Sequence, residues 1–305
     1  IATGAAEKSL PVPGWTLPGV MTIGAAQVMA NVHHVKPGKR GIIIGINVLS
    51  LAIARELTMA GVVIEAIVLP GKNALTQDDA IPLKVFETLL NVTHLAPSLL
   101  LKAGGALAKR SPFLKKLAIT GYPQRGFKIW GIPIRLRQAA CEIQGIDQVE
   151  KVVLASVTSE GTKIANSERT VPVDFVCVAG GLYPLVELAG VCGCPFKYIP
   201  SLGGHVPIHN EFMQTPLDGL YVAGNITGIE SAKVAMAQGR LAGLAMAFAK
   251  NKSVAKQTLD QARHDVEAAR ENALIRFHPD IQQGRDELRQ AARLQVASDV
   301  CKKIL

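Results

Sequence analysis

The stretch between residues 41 and 69 constrains the fold more than any other part of this sequence. Gly41–Gly45 is a short apolar run that predicts a strand, Val48–Ala60 predicts a helix, and Val62–Leu69 predicts a second strand stopped by Pro70. A helical crossover places the two strands that it joins in parallel in one sheet. The stretch therefore predicts a β-α-β unit and, with it, an α/β fold.

The turn between the first strand and the helix is a candidate anion site. Unpaired amides at a helix N-terminus face phosphates, and the pattern Gly-x-Gly-x-x-Gly/Ala lets the backbone approach a pyrophosphate. Residues 45–50 read Gly-Ile-Asn-Val-Leu-Ser, which keeps only the first glycine. Asn47 tolerates a positive φ but its side chain takes space that the pyrophosphate would use, whereas Ser50 is small enough for close helix–strand packing. The candidate nucleotide-binding residues are Gly45, Ile46, Asn47, Val48 and Leu49.

A carboxylate that binds the ribose should follow about 20 residues later, at the end of the second strand. Glu65 has that separation, but the apolar run continues to Leu69, so we expect Glu65 in mid-strand. Two interpretations stay open at this point. The unit binds NAD(P) or another adenine nucleotide, or it is a Rossmann-shaped unit whose site has decayed.

A second strand-turn-helix signal lies further along the chain. Gly219–Ala223 predicts a strand that delivers Asn225 at its carboxyl end, and a helix is expected over 229–250. The residues around the start of that helix are small: Gly228, Ser231 and Ala232. Its N-terminal amides can therefore face an anion or the electron-rich edge of a flavin. The alternative is an ordinary strand-turn-helix without a ligand.

The rest of the sequence predicts further helices and strands around these two segments. The tail, 254–305, is charged and Ala-rich, and Pro279 and Gly284 divide it into at least two helices. The other expectations are the end of a strand at 1–5, a short helix at 24–35, mainly helix at 76–120, a hairpin of Arg135–Gln144 with Gln148–Val157, and a strand at Phe175–Val178.

Composition narrows the classes of protein that fit. Apolar residues make up 49% and charged residues 19%, which indicates a globular core, and no apolar run reaches the ~18 residues that a membrane span needs. The net charge is +9, but the basic residues are scattered without an RNA-binding aromatic motif, so no nucleic acid partner is predicted. Five cysteines, an odd number, argue against a disulfide framework and predict a cytoplasmic protein. No histidine or cysteine spacing predicts a metal site.

Several segments together resemble the pyridine nucleotide-disulfide oxidoreductase superfamily. Residues 1–5 are similar to the turn where the chain of that family leaves its FAD domain, Phe175–Pro184 to the return crossing, and Gly219–Asn225 to the second FAD motif. A narrower likeness is to the large subunits of opine oxidase, hydrogen cyanide synthase, heteromeric sarcosine oxidase and dye-linked proline dehydrogenase. The segments that carry it are Leu10–Thr22, Glu187–Ala189, Gly203–Pro207, Glu230–Ala235 and Gly239–Gly243.

The resemblance implies a Rossmann-like NAD(P) domain nested in a partial, three-layer FAD domain, with a helical C-terminal tail. The implied division is 1–35 and 171–250 for the FAD-type domain, 36–170 for the nested domain and 251–305 for the tail. The residues implied to bind FAD are Thr3, Gly4, Gly224, Asn225, Ser231 and Ala232. The family usually has an Asp where this chain has Asn225, and an amide oxygen can still accept a hydrogen bond there.

The function implied by the resemblance is that of a flavin-dependent oxidoreductase subunit in a heteromeric amino-acid or amine dehydrogenase or oxidase. A second subunit would hold the substrate, and no catalytic side chain is predicted here because the flavin carries the electrons. The family's first glycine-rich FAD loop is expected upstream of Ile1, so we expect residues 1–305 alone not to hold FAD stoichiometrically. The alternative is a non-catalytic, degenerate nucleotide-binding or scaffold subunit.

Overall fold

The chain forms two compact units in a computed structural model, which describes residues 1–90, 112–251, 254–273 and 276–304. One unit is Glu7–Gly181, and the other comprises Ile1–Ala6 together with Leu182–Leu305. The division into FAD-type and nested nucleotide-binding domains that the resemblance implies stays a prediction.

An eight-stranded sheet organises the unit Glu7–Gly181. Its described strands make four parallel pairings in one part of the sheet and three antiparallel pairings in the other. In spatial order the strands are β2 (Val20–Thr22), β9 (Phe175–Val178), β3 (Arg40–Ile44), β4 (Val63–Pro70), β6 (Ile132–Gln144), β7 (Lys151–Ser156) and β8 (Arg169–Pro172), with β5 (Phe127–Ile129) paired to β6.

Helices accompany the parallel part of this sheet, and the predicted β-α-β unit is confirmed. Strands β3 and β4 are parallel, with Ile43 opposite Ile67, and the helix between them runs from Val48 to Met59. The described helices of this unit are α1 (Ile23–Asn31), α2 (Val48–Met59), α3 (Pro82–Leu90), α4 (Pro112–Thr120) and a 3₁₀ turn at Gln77–Ala80.

Apolar side chains fill both faces of the sheet, which is why its central strands read as continuous apolar runs. Ile43 and Cys177 point into one buried cluster, which includes Ile53 and Leu57 of α2. Their strand neighbours, such as Ile42, point into a second cluster on the opposite face. This alternation with a period of two residues is the one expected for strands.

The hairpin and the strand at Phe175–Val178 are also confirmed. Strands β6 and β7 pair antiparallel, with Ile143 opposite Val152. Part of the helical expectation over 76–120 falls on residues 91–111, which lie outside the described residues.

The second unit is built from short strands and helices. Strand β1 (Ala5–Glu7) pairs with β10 (Leu182–Pro184), and β11 (Phe196–Ile199) pairs antiparallel with β12 (Gly204–Pro207). Its helices are α5 (Glu187–Val191), α6 (Ala232–Asn251), α7 (Lys256–Glu271) and α8 (Ile281–Ile304), with 3₁₀ turns at Pro200–Leu202 and Gly224–Thr227. Among the described helices, none is both long and apolar enough to cross a bilayer.

Three predictions in this unit are wrong in detail. Gly219–Ala223 is not a regular strand, because its ladder contact within the described residues is an isolated bridge between Tyr221 and Gln214. The following helix begins at Ala232 rather than Ile229, since the 3₁₀ turn ends at Thr227 and residues 228–231 are not helical. The first strand of the chain begins at Ala5, after the Gly4 turn, and not before it.

The tail contains two described helices, as predicted, but only one of the two expected breaks separates them. Pro279 lies between α7 and α8, whereas Gly284 lies inside α8. Gly284 is buried there, and a Cβ at that position would come within 2.2 Å of Ser201 Oγ. The glycine is therefore a packing residue rather than a helix end.

Candidate nucleotide and flavin sites

Gly45 makes the turn after β3 possible. Its φ is +112°, and its amide donates to the Val68 carbonyl at 2.8 Å. A Cβ there would lie 2.2 Å from the Ala179 carbonyl oxygen at the end of β9. The glycine is therefore required for close approach of two backbones, and the next residue, Ile46, is buried in the core.

Asn47 does not adopt the positive φ that its type permits. Its φ is −150° and ψ is 177°, and it serves as the N-cap of α2. The Asn47 Oδ1 atom accepts from the Ser50 amide at 2.9 Å, and Ser50 Oγ accepts from the Asn47 amide at 2.9 Å. Asn47 Nδ2 donates to the Ala179 carbonyl at 2.9 Å. The side chain therefore joins the helix start to the end of β9.

Within the described part of the chain, no carboxylate lies at the end of β4, where a ribose would be bound. Glu65 lies in mid-strand, as predicted, and its Oε1 is paired with Arg40 Nη2 at 2.6 Å. Strand β4 ends at buried Leu69 and Pro70. Of the five predicted nucleotide-binding residues, the structure brings all into one turn, but the side chain of Asn47 occupies it. The residues present do not fit a dinucleotide pyrophosphate.

The turn at Gly224 differs because it is open. Gly224 has a φ of +80°, and the nearest atom to a Cβ built there is Ala235 Cβ at 3.7 Å. Among the described residues, the amides of Ser231 and Ala232 at the start of α6 have no hydrogen-bond partner. Asn225 Oδ1 accepts from the Glu230 amide at 3.1 Å and keeps a lone pair free for a second donor. These groups fit the polar edge of a flavin.

The first residues of the chain lie beside this turn. The Ile1 nitrogen donates to the Tyr221 carbonyl at 2.6 Å, and the Ala223 amide donates to the Ile1 carbonyl at 3.1 Å. Two bonds in this arrangement are typical of parallel segments. The chain therefore runs in the same direction through both segments, and Gly4 and Gly224 come directly after them. Thr3 Oγ1 donates to the Leu185 carbonyl at 2.5 Å. The predicted flavin residues of both legs thus come together in one unit, with the Thr3 hydroxyl already engaged.

A buried polar cluster that the sequence did not reveal holds the Gly224 turn in place. Gln238 is fully buried, and its Oε1 accepts from the Gly224 amide at 2.7 Å. Its Nε2 donates to Glu230 Oε2 at 3.4 Å. The Glu230 amide also donates to Asn225. Gln238 and Glu230 together therefore fix Gly224 and Asn225, the two residues of the flavin motif.

The tail supplies the countercharges for Glu230. Arg270 of α7 approaches Glu230 Oε2 at 3.2 Å, and Arg285 of α8 pairs with Glu230 Oε1. Burial, reinforced by the neighbouring Arg270, lowers the pKa of Arg285 to about 10 despite the attraction of Glu230. The side chain of Glu230 is only 6% exposed. A buried carboxylate is tolerated here because two arginines pair with it.

His209 also lies buried in this unit. Its Nδ1 is 2.8 Å from the Pro207 carbonyl, and since a carbonyl oxygen only accepts, Nδ1 must carry the proton. Burial lowers the pKa of His209 to about 4, and the positive charge of Arg270 acts in the same direction. The residue is therefore neutral near pH 7.

A cavity of about 180 Å³ lies at the start of α6, next to this cluster. Its charged lining consists of three glutamates and three arginines: Glu230, Glu267, Glu271, Arg270, Arg276 and Arg285. Balanced charge favours neither an anion nor a cation. Among the described residues, no group of three His, Cys, Asp or Glu side chains is arranged to hold a metal ion.

Comparison with known proteins defines the class. The family model described as pyridine nucleotide-disulphide oxidoreductase matches residues 1–239, which include both the Gly45 and the Gly224 turns. The chain belongs to this family of FAD- and NAD(P)-binding oxidoreductases. The predicted fold class and family resemblance are confirmed.

Two curated relatives are named as components of multi-subunit enzymes. The chain is 30% identical over 258 residues to the A subunit of opine oxidase from Agrobacterium tumefaciens, covering 85% of this chain and 44% of the relative. It is 27% identical over 283 residues to the HcnB subunit of hydrogen cyanide synthase from Pseudomonas aeruginosa, covering 92% of this chain and 54% of the relative. The chain thus spans about half the length of the curated relatives that it matches.

A solved structure supports the fold. The L-proline dehydrogenase from P. horikoshii superposes with a TM-score of 0.54 at 15% sequence identity, covering 86% of this chain and 37% of that one. At this identity the likeness concerns the fold alone.

Proposed function

We propose that this chain is part of the large subunit of a heteromeric, flavin-dependent oxidoreductase that oxidises an amino acid or a related amine. Family membership and the subunit names of the two relatives support the proposal. The single observation that carries it is the open Gly224 turn in front of the unpaired amides of α6, held by Gln238 and Glu230.

The residues around this turn would bind and orient the cofactor. A bound FAD would supply the site that accepts electrons from the substrate. The amides of Ser231 and Ala232, at the start of α6, would face the electron-rich edge of the ring, where a helix N-terminus favours negative charge. Asn225 would accept a hydrogen bond from the flavin side chain while the Glu230 amide fixes its orientation.

A second subunit would hold the substrate. Both relatives are named as subunits, which supports a second component in the intact enzyme. A cytoplasmic assembly is proposed as well, because the four described cysteines are free thiols.

The test is an anaerobic titration of the native assembly, captured from its source cells with an antibody to this chain. The titrants are amino acids, N-alkylated amino acids and primary amines. Flavin absorbance should bleach with one of these classes and return on adding an artificial electron acceptor. A flavin that none of them reduces would overturn the substrate class, and an assembly without flavin would overturn the proposed function itself.

The second candidate is a non-catalytic scaffold subunit with a degenerate nucleotide fold. The Asn47 side chain that fills the Gly45 turn favours it, because one of the two nucleotide-type turns is then not available. The flavin content of the native assembly separates the candidates, since a scaffold would carry none in this chain.

A further inference from the structure

We infer that the Gly45 turn is closed to the pyrophosphate of NAD(P), with Asn47 as the block, so that the unit Glu7–Gly181 is a structural domain rather than a dinucleotide site. The inference goes beyond the proposed function, which concerns the Gly224 turn. It also departs from what membership of the family implies for this loop.

The side chain of Asn47 already uses one of the amide donors that a phosphate at this helix start would need. A phosphate binds at a helix N-terminus by accepting from the amides of the first turn. At the start of α2 the Ser50 amide donates to Asn47 Oδ1, and the Asn47 amide donates to Ser50 Oγ, each at 2.9 Å. An N-cap side chain bonded in this way lies across the end of the helix, where a phosphate oxygen would have to sit.

The amide nitrogen of the Asn47 side chain is also hydrogen-bonded. Asn47 Nδ2 donates to the Ala179 carbonyl, which lies beyond β9 and 132 residues away in sequence. All polar atoms of the amide are thus used within the unit. In the family's fingerprint the corresponding glycine has no side chain, and this is what lets the backbone approach the pyrophosphate. A dinucleotide would have to displace the two hydrogen bonds of the Asn47 side chain before making its own.

The segment that follows β4, where a ribose would be bound, uses its polar groups in bonds of its own. After β4, Asn73 Oδ1 accepts from the amides of Leu75 at 2.8 Å and Thr76 at 3.0 Å. Thr76 Oγ1 donates to the Gly71 carbonyl at 2.8 Å, and the residue is buried. Since Glu65 is paired with Arg40 in mid-strand, no described carboxylate at the end of β4 is available to a ribose.

Calorimetric titration of the chain with NADH and NADPH tests this inference. The wild-type chain should show no saturable binding up to about 1 mM. Asn47→Gly removes the block and restores the second glycine, so it should bind at least about tenfold more tightly than wild type. Adding Val48→Asp to that variant places a carboxylate at the first helical position and should abolish the gain by repelling phosphate.

Two results would overturn the inference. One is saturable binding to wild type at or below about 1 mM that Val48→Asp, introduced alone, removes, and the other is an Asn47→Gly variant that binds no better than wild type. Wild-type binding that is insensitive to Val48→Asp would lie outside this turn and would leave the inference standing. None of these outcomes depends on flavin, so failure here is distinguishable from failure of the proposed function.

Discussion

The fold restricts the protonation of His209. In the unfolded chain a histidine titrates near pH 6.5, whereas burial holds the pKa of folded His209 at about 4. Between these two values the unfolded state binds a proton that the folded state does not. The stability that this residue contributes is therefore complete above about pH 6.5 and is lost as the pH falls towards 4.

The expected loss is about 3 kcal/mol of unfolding free energy between pH 7 and pH 4 from this residue alone. The measurement is urea unfolding across that range, for wild type and for His209→Asn. Asparagine can still donate to the Pro207 carbonyl but does not titrate, so the variant should lose about 3 kcal/mol less than wild type. Parallel pH profiles for the two proteins would show that His209 is not held neutral.

Asn47 shows which contacts of a single residue can be predicted from the sequence and which cannot. An N-cap and its partner lie three residues apart, so the steric conflict with a pyrophosphate was visible in the sequence alone. The bond to Ala179 was not, because it joins residues that follow two different strands, β3 and β9, which become neighbours only in the sheet. Glu230 is the stronger case, since its arginine partners lie 40 and 55 residues further along the chain.

At the scale of elements, helix α8 packs through a glycine. Gly284→Ala would normally stabilise a helix by roughly 0.5–1 kcal/mol, but here the new Cβ would meet Ser201 Oγ at 2.2 Å and Ile199 Cγ2 at 3.0 Å. We expect a net loss of about 1–3 kcal/mol from overpacking. Gly239 in α6 is the matched control, because nothing lies within 4 Å of its Cβ position.

Thermal and urea unfolding of both variants give the comparison. Gly239→Ala should be more stable than wild type by roughly 0.5–1 kcal/mol, and Gly284→Ala less stable. Two variants that shift in the same direction would mean that α8 does not pack against the 3₁₀ turn at Pro200–Leu202 as described.

The tail helices also hold the flavin turn through charge. Glu230→Gln would leave the buried guanidinium groups of Arg270 and Arg285 without their carboxylate, and removing one partner from such a cluster costs about 3 kcal/mol or more. Glu271→Gln, on the same helix as Arg270 but exposed, should change stability by less than about 0.5 kcal/mol. Equal effects in urea unfolding would refute a buried role for Glu230.

Secondary structure was predictable where periodicity was strong and local. The β-α-β unit and the hairpin have long apolar patterns, and both were confirmed. The predicted strand Gly219–Ala223 failed because its apolar residues pack beside Ile1 and Gln214 without forming a ladder. Gly284 was misread as a helix end because glycine in a sequence does not distinguish a break from a close contact.

At the scale of the whole molecule, the two units make different use of a glycine turn. In the unit Glu7–Gly181 the turn is filled by its own N-cap residue, whereas the Gly224 turn stays open and is held from behind by a buried cluster. Membership of the family predicts two nucleotide-type turns. They differ because the Asn47 side chain fills the first, whereas the Gln238 side chain holds the second from outside the turn. The tail contributes arginines to that cluster, so part of the excess positive charge of the chain is used internally.

The most direct test of the central proposal is the FAD content of the native assembly, measured by fluorescence of the released cofactor per chain. Wild type and Asn225→Asp should both carry stoichiometric FAD, because either side chain can accept from the flavin side chain. Asn225→Leu, introduced at the same chromosomal position, should lose most of it. An assembly without FAD, or equal FAD in the Asn225→Leu variant, would contradict the assignment of the Gly224–Asn225 turn as the flavin site.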